Sequence, residues 1–154
     1  MTEAEIVRLG TADIPEIHGI EKQCFTCPWS VRSLEASIAL PVSYWFGARI
    51  DGRLAGFVGS FSAAGEAEIL DVAVDPACRR QGIGRLLMTS ALATLRDSGA
   101  ETVFLDVRRS NDPAVSLYRS LGFEVFAVRS MYYSDPPEDA YEMRLTFNNN
   151  TDSE

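Results

Sequence analysis

The chain of 154 residues has the length of one domain, and 46% of it is apolar, which suffices for a packed core and excludes a disordered segment. Its 22 acidic and 14 basic side chains give a formal net charge of −8, which argues against general nucleic-acid binding. No apolar stretch is long enough to cross a bilayer, and the acidic amino terminus lacks the layout of a signal peptide, so we expect a cytoplasmic protein without a membrane partner.

The first third of the chain predicts a short strand and two helices. Residues 6–7 are β-prone, and apolar residues then recur at helical spacing from residue 14 to residue 24. Ser30 follows Pro28 and Trp29 and is a suitable N-cap for a second helix that reaches about residue 39.

Three strands are predicted next. Residues 43–50 and 54–61 flank the pair Asp51 and Gly52, which is typical of a two-residue hairpin turn. Residues 67–74 are again apolar and β-prone. This half of the chain therefore predicts an antiparallel sheet.

The second half alternates helices and strands. A long helix begins after Gly82 and ends near Gly99, and the residues predicted on its apolar face are Ile83, Leu86, Leu87, Ala91 and Leu95. Residues 102–107 form a strand, and Asp112 is the predicted N-cap of a helix that ends at Gly122.

Two further strands, residues 124–128 and 141–147, flank a loop around Pro136 and Pro137. The chain is thus predicted to be one mixed α/β domain over residues 1–147, followed by a flexible polar tail over residues 148–154.

The cysteine and histidine content predicts no metal site. Cys24 and Cys27 have the spacing of half a zinc site, but no second cysteine pair completes a tetrahedral set, and His18 is the one histidine of the sequence. We therefore interpret the three cysteines as ordinary reduced thiols.

A glycine-rich loop offers the first hint of a ligand. Residues 79–84 read Arg-Arg-Gln-Gly-Ile-Gly and precede the long helix, so their backbone N–H groups and the arginines, with Arg85, could hold a diphosphate. A turn that needs glycine for its geometry alone would look the same. The loop lacks both the Lys-Ser/Thr of a P-loop and the third glycine of a dinucleotide fingerprint.

Two segments around this loop resemble the cofactor motif of the GNAT superfamily of N-acetyltransferases. They are residues 69–76 before the loop and residues 111–123 after it. The resemblance implies a mostly antiparallel twisted sheet of about six or seven strands, about four helices on both faces, and acetyl-CoA as co-substrate. The positions that it assigns to acetyl-CoA are Val72, Ala73, Val74, Arg80, Gln81, Gly82, Ile83, Gly84, Arg85 and Asn111.

Shorter segments resemble one bacterial branch of the superfamily, which acetylates the N-terminal alanine of a small-subunit ribosomal protein. These segments are Cys27-Pro-Trp-Ser30, Leu105-Asp-Val-Arg108, Arg129-Ser-Met-Tyr-Tyr133 and Glu138-Asp-Ala140. The resemblance implies a ribosomal N-terminal peptide as partner. An acetyltransferase of a small amine and an inactive CoA-binding module remain the alternatives.

The resemblance also implies catalytic roles. It makes Tyr118 the general acid, although a tyrosine packed in the core fits the same helix position. The branch commonly carries glutamate where this chain has Asp106, which could act as general base through a bridging water. Glu68 matches the base position of another branch and is the second candidate.

Three aromatic residues are the candidates for peptide binding. Tyr132 and Tyr133 resemble a tyrosine pair that N-terminal acetyltransferases place over the peptide backbone, and an aromatic surface beside a hairpin is the alternative. Trp29 lies in the Pro-Trp-Ser segment, which we also expect to select the peptide.

Overall fold

The computed structural model describes residues 3–147, and its centre is one sheet of seven strands in the order β1-β2-β3-β4-β5-β7-β6. The strands are β1 (Glu5–Arg8), β2 (Ser43–Ile50), β3 (Arg53–Ala63), β4 (Glu66–Val74), β5 (Thr102–Arg108), β6 (Glu124–Ser134) and β7 (Pro137–Thr146). All neighbours pair antiparallel except β4 and β5, which are parallel. The tail predicted at residues 148–154 lies outside the described residues.

Within residues 3–147 four α-helices accompany the sheet, which confirms the predicted fold class. They are α1 (Ile14–Cys24), α2 (Val31–Ile38), α3 (Ile83–Asp97) and α4 (Asp112–Ser120). Ser30 caps α2 as predicted, because its hydroxyl accepts a hydrogen bond from the Ser33 N–H at 3.0 Å. None of the helices in residues 3–147 combines the length and the apolarity that a bilayer crossing requires.

Two apolar clusters hold the helices to the sheet. Leu87 and Leu95 of α3 lie in one cluster, and Ile17 of α1 and Leu34 of α2 lie in the other. The predicted apolar face of α3 is wrong at one position, since Leu86 is 39% exposed. The buried stripe follows steps of four residues and includes Met88 and Leu92 instead.

The α4 helix begins one residue earlier than predicted. Its N-cap is Asn111, whose side-chain oxygen accepts a hydrogen bond from the Ala114 N–H at 3.3 Å, and Asp112 is the first helical residue. Asparagine and aspartate cap helices about equally well, so two such residues in succession leave the start of the helix ambiguous in the sequence.

Strands β6 and β7 are longer than the sequence predicts. Their register shifts between Arg129 and Tyr133, and Met131 there has a φ of 52°. This irregularity breaks the two-residue alternation by which a strand is recognised, so the predicted strand ended at residue 128. Pro137 begins β7, a position that tolerates the missing N–H.

Candidate functional site

A cleft opens where β4 and β5 separate. Their parallel pairing covers three residues on each strand, from Glu66 with Thr102 to Glu68 with Phe104. Just beyond it, β4 contains a bulge, because Asp71 pairs with Gly59 and Ile69 with Ser60, which leaves Leu70 without a partner. The bulge thus lies on β4 directly beyond the last residue that pairs with β5.

The resulting cavity, which we call the strand cleft, has a volume of about 410 Å³. Its walls are residues 69–72 of β4 and residues 105–108 of β5. The segment between α1 and α2, the α4 helix and the β6–β7 turn complete it through Trp29, Tyr118, Tyr133 and other residues. A cleft with carboxylates, a buried phenol and aromatic walls is suited to bind a polar, amine-bearing group.

A second cavity of about 260 Å³, the loop cleft, lies at the start of α3. Arg80 and Gly82 have φ values of 66° and 75°, a left-handed backbone that forms an anion-binding concavity. The first N–H groups of α3 have no partner within the helix and add to it. The guanidinium of Arg85 donates to the Ser120 hydroxyl at 2.8 Å and also lines the cavity.

Arg79 is held by protein groups. Its Nε donates to the Val74 carbonyl at 3.2 Å, and its Nη2 contacts the Cys24 sulfur at 3.4 Å. It still lines the loop cleft, so its charge contributes there while its donors connect the loop to β4 and α1.

The predicted acetyl-CoA positions are distributed over both clefts. Val72 and Asn111 line the strand cleft. Six of the predicted positions line the loop cleft, namely Val74, Arg80, Gly82, Ile83, Gly84 and Arg85. Ala73 is buried and Gln81 is exposed, and neither lines a cleft. The side-chain oxygen of Asn111 caps α4, which leaves its amide N–H groups for a ligand.

Tyr118 is buried and lines the strand cleft, with its ring tilted against Phe123 at a centroid distance of 6.0 Å. Burial, reinforced by the nearby Tyr133, raises the pKa of Tyr118 to about 12. The hydroxyl therefore keeps its proton at neutral pH and remains a hydrogen-bond donor.

Asp106 also lines the strand cleft. Burial raises its pKa, and Glu142, its register partner on β7, raises it further. Arg129 and a hydrogen bond from the Tyr132 hydroxyl oppose this rise. A carboxylate with a raised pKa is a better proton acceptor than an ordinary aspartate.

Glu68 is close enough to Asp106 to be affected by its charge, yet it does not line the strand cleft. Burial and the charge of Asp106 raise the pKa of Glu68. The structure therefore brings Asp106, Tyr118, Tyr133 and Trp29 together, with Glu68 and Tyr132 beside them.

Arg108 is a site residue whose role the sequence did not reveal. Its guanidinium lies 4.3 Å from the centre of the Tyr133 ring and donates to the carbonyls of Asp135 and Pro136 at 3.0 and 2.9 Å. It also forms an ion pair with Glu138 at 3.3 Å. Arg108 thus fixes the β6–β7 turn and Tyr133 at the mouth of the strand cleft.

Sequence reasoning also missed two carboxylates of the strand cleft, Glu21 and Asp71. Glu21 is 0% exposed, and its Oε1 accepts a hydrogen bond from the Trp29 N–H at 2.9 Å. The signal was present, since residue 21 follows Ile17 at helical spacing and so lies on the apolar face of α1. Burial raises the pKa of Glu21 to about 7.

Comparison with known proteins identifies the class of this site. Residues 14–123 match the model of the acetyltransferase (GNAT) family. The [Ribosomal protein bS18]-alanine N-acetyltransferase of Escherichia coli K12 is 37% identical over 142 residues, which is 91% of this chain and 95% of the relative. The N-alpha-acetyltransferase RimI of Mycobacterium tuberculosis H37Rv is 36% identical over 152 residues, covering 92% and 94%.

The fold is similar as well. The crystal structure of the ribosomal-protein-S18-alanine N-acetyltransferase from Escherichia coli superimposes with a TM-score of 0.87 at 34% identity, over 93% of both chains.

Proposed function

This chain belongs to the acetyltransferase (GNAT) family and is an N-acetyltransferase, and we propose that its acceptor is the α-amine of an N-terminal alanine on a small-subunit ribosomal protein. Acetyl-CoA is the donor. Residues 1–147 act as one catalytic domain, and the reaction takes place in the cytoplasm, where ribosomal proteins are made.

One observation carries the proposal, namely that Asp106 and Tyr118 meet in a cleft which shares its walls with an anion-binding loop. Strand β4 contributes Val72 to the strand cleft and Val74 to the loop cleft. Helix α4 likewise contributes Tyr118 to one and its neighbour Leu117 to the other. A long ligand with a diphosphate at one end could therefore extend along β4 from the loop to the carboxylate and the phenol.

The loop cleft fits the diphosphate of acetyl-CoA. Arg80 and Arg85 supply positive charge, and the left-handed backbone at Arg80 and Gly82 is of the kind found in anion-binding loops. Val72, Ala73 and Val74 would offer backbone groups to the pantetheine arm, with Asn111 near the reactive end.

Asp106 acts as the general base. An α-amine with a pKa near 7.8 is roughly one-tenth neutral at pH 7, so the base has a modest task. Asp106 withdraws a proton from the attacking nitrogen through a water molecule, which spans the methylene that aspartate lacks relative to glutamate. The nitrogen attacks the acetyl carbon directly, without a covalent enzyme intermediate.

Tyr118 assists the departing sulfur. A thiol pKa is about 8.5, well below the value of about 12 for Tyr118. Full transfer of the Tyr118 proton to the sulfur is uphill at these pKa values, so the hydroxyl stabilises the developing thiolate by donating a hydrogen bond as the carbon–sulfur bond breaks, and the released CoA thiolate takes its proton from solvent.

The residues at the mouth of the strand cleft select the acceptor. Trp29 and Tyr133 line it from two sides, and Tyr132 stacks edge-on against Tyr133 with a centroid distance of 5.0 Å. These rings would enclose the first residues of an extended peptide.

An acceptor panel tests the function. Purified protein and acetyl-CoA are supplied with an alanine-starting ribosomal peptide, a lysine-containing peptide with a blocked amino terminus, or a set of small amines, and the products are identified by mass spectrometry. We expect acetylation of the alanine α-amine. Turnover on small amines alone, or CoA binding without turnover on any acceptor, would contradict the proposal.

A further inference from the structure

Two carboxylate oxygens of the strand cleft have no hydrogen-bond partner within residues 3–147. They are Glu21 Oε2 and Asp71 Oδ2, and both are buried from solvent. Buried polar atoms are normally hydrogen-bonded, because an unpaired one loses its bonds to water without replacement, and a charged one loses more. Two such atoms in one cavity indicate a ligand that donates hydrogen bonds.

The packing of α1 does not explain why residue 21 is charged. Glu21 Oε1 accepts the Trp29 N–H, a role that an uncharged glutamine would fill without the cost of burying a charge. The cation that lines the strand cleft is Arg108, and its donors are engaged by Asp135, Pro136 and Glu138. No side chain of residues 3–147 that lines the strand cleft thus offers Glu21 a free positive charge, and a cation bound in the cleft would favour its ionised form.

We propose that Glu21, assisted by Asp71, binds the positively charged primary ammonium of the acceptor in the strand cleft. This inference rests on the proposed function. An ammonium has three hydrogen-bond donors and no acceptor, which complements two carboxylate oxygens that lack donors. Its charge also offsets a cleft in which Glu21, Asp71 and Asp106 face one arginine.

The roles of Glu21 and Asp106 are then distinct. Glu21 would bind the acceptor in its charged, abundant form, and Asp106 would withdraw the proton that precedes attack. Because burial raises the pKa of Glu21 to about 7, its carboxyl is partly protonated near neutral pH, and an arriving cation would drive that proton off. The titratable groups that line the strand cleft with Glu21 are Cys24, Cys27, Asp71, Asp106, Arg108, Tyr118 and Tyr133, and Arg79 contacts Cys24.

The test compares two peptides that differ in the ammonium alone. The CoA-saturated full-length protein is titrated by calorimetry with an alanine-starting peptide, and with the same peptide carrying a propionyl group in place of alanine. A charge-assisted hydrogen bond is worth about 1.5–3 kcal/mol, so the wild type should prefer the ammonium peptide by roughly 10- to 100-fold. Glu21→Gln should reduce this preference to less than about threefold.

Glu35→Gln is the matched control, since it removes one exposed carboxylate from α2 and should leave the preference unchanged. An equal loss of affinity for both peptides in Glu21→Gln would overturn the proposal, because it would mean that Glu21 only supports Trp29. An unchanged preference would overturn it too. Should Glu21→Gln fail to fold, Asp71→Asn undergoes the same comparison.

Failure of the proposed function gives a different result. If the wild type acetylates a small amine and no peptide, the assignment to a ribosomal protein is wrong, and the comparison is repeated with that amine and its deaminated analogue. The role of Glu21 is then tested by whether Glu21→Gln reduces the preference for the amine over its deaminated analogue.

Discussion

The hydroxyl of Thr26 donates a hydrogen bond of 2.6 Å to the carbonyl of Asp135, which lies 109 residues further along the chain. Thr26 belongs to the segment between α1 and α2, and Asp135 to the turn between β6 and β7. The same carbonyl accepts from Arg108. Two segments from opposite ends of the chain thus meet over the strand cleft and narrow its entrance.

Removing the Thr26 hydroxyl should weaken binding of the peptide more than it slows the chemical step. A hydrogen bond of this type contributes about 1 kcal/mol, so Thr26→Val should raise the KM for the peptide roughly fivefold and leave kcat nearly unchanged. Thr26→Ser keeps the hydroxyl and should behave as wild type. Steady-state kinetics with the alanine-starting peptide measures both constants, and an effect on kcat alone would show that the contact does not act on peptide binding.

Asp106→Asn should lower kcat/KM by roughly 10²- to 10³-fold. The base must be ionised, and its pKa is raised above the ordinary 3.8, so kcat/KM of the wild type should rise with pH through a limb above that value. A separate limb near pH 7.8 belongs to the substrate amine, and kcat/KM should fall there as the ammonium that the cleft binds loses its proton. The variant should lose the lower limb and keep the upper one.

Two further carboxylate variants discriminate between the candidate bases. Asp106→Glu restores the residue common in the related branch and should remain active, whereas Glu68→Gln should keep both limbs if Asp106 is the base. If Asp106→Asn and Glu68→Gln both retain the wild-type pH profile, neither carboxylate is the base.

Tyr118→Phe removes one oxygen and retains the ring that packs on Phe123. We expect kcat to fall roughly 100-fold, because the departing sulfur loses its donor, while the affinity for CoA and the melting temperature change little. Kinetics and thermal denaturation of the same preparation provide the measurements. A lower melting temperature with unchanged kcat would indicate that Tyr118 serves only in the core.

The arginines of the loop cleft should contribute to CoA affinity. Arg80 has a left-handed backbone, and in Arg80→Gln another non-glycine residue takes this position. The backbone preference of wild type and variant is therefore similar, and the main change is the loss of the charge. An exposed phosphate contact is worth about 1 kcal/mol, which predicts a roughly fivefold weaker Kd for CoA. Arg119→Gln, on the exposed side of α4, should leave the Kd unchanged. Equal effects of the two variants would favour general charge attraction over a phosphate site.

Glu21 should make the free enzyme less stable as the pH rises. Its pKa is raised from 4.5 to about 7 in the folded state, so the folded protein holds a proton that the unfolded chain releases between these values. Stability therefore falls across this window, by up to about 3 kcal/mol. Glu21→Gln should lose that part of the pH dependence, as measured by urea denaturation at pH 4.5 and pH 8. An unchanged difference between the two pH values would show that Glu21 titrates normally.

Regular periodicity made most of the fold predictable. Helix α3 buries residues at helical spacing, β5 alternates buried and half-buried residues, and the Asp51-Gly52 turn has the left-handed φ values of 52° and 82° that its sequence implies. Strand β6 was underestimated because its bulge interrupts that spacing near Met131. Local patterns identify an element well where the element is regular.

The site was predictable in part. A resemblance to a family indicates which residues take part, but it does not indicate which other side chains they contact. Asp106 and Tyr118 were named from motifs, yet the contact between Thr26 and Asp135 joins residues too far apart in the sequence for any local pattern to indicate it. The burial of Glu21 was not predictable, because a glutamate in an amphipathic helix is usually solvated and the packing of α1 against α2, β3 and β4 is not visible in the sequence.

The three-residue pairing of β4 with β5 divides the sheet into two antiparallel blocks, β1 to β4 and β5 to β7, that are joined at one end. Beyond that junction β4 and β5 face each other across a gap. The peptide groups that they turn toward the gap are not paired with any strand of residues 3–147. Such unpaired N–H and C=O groups can form hydrogen bonds with another chain, as those at an exposed sheet edge do. An amide-bearing chain that enters the gap, such as the pantetheine arm proposed to lie along β4, would therefore complete the sheet as an additional strand.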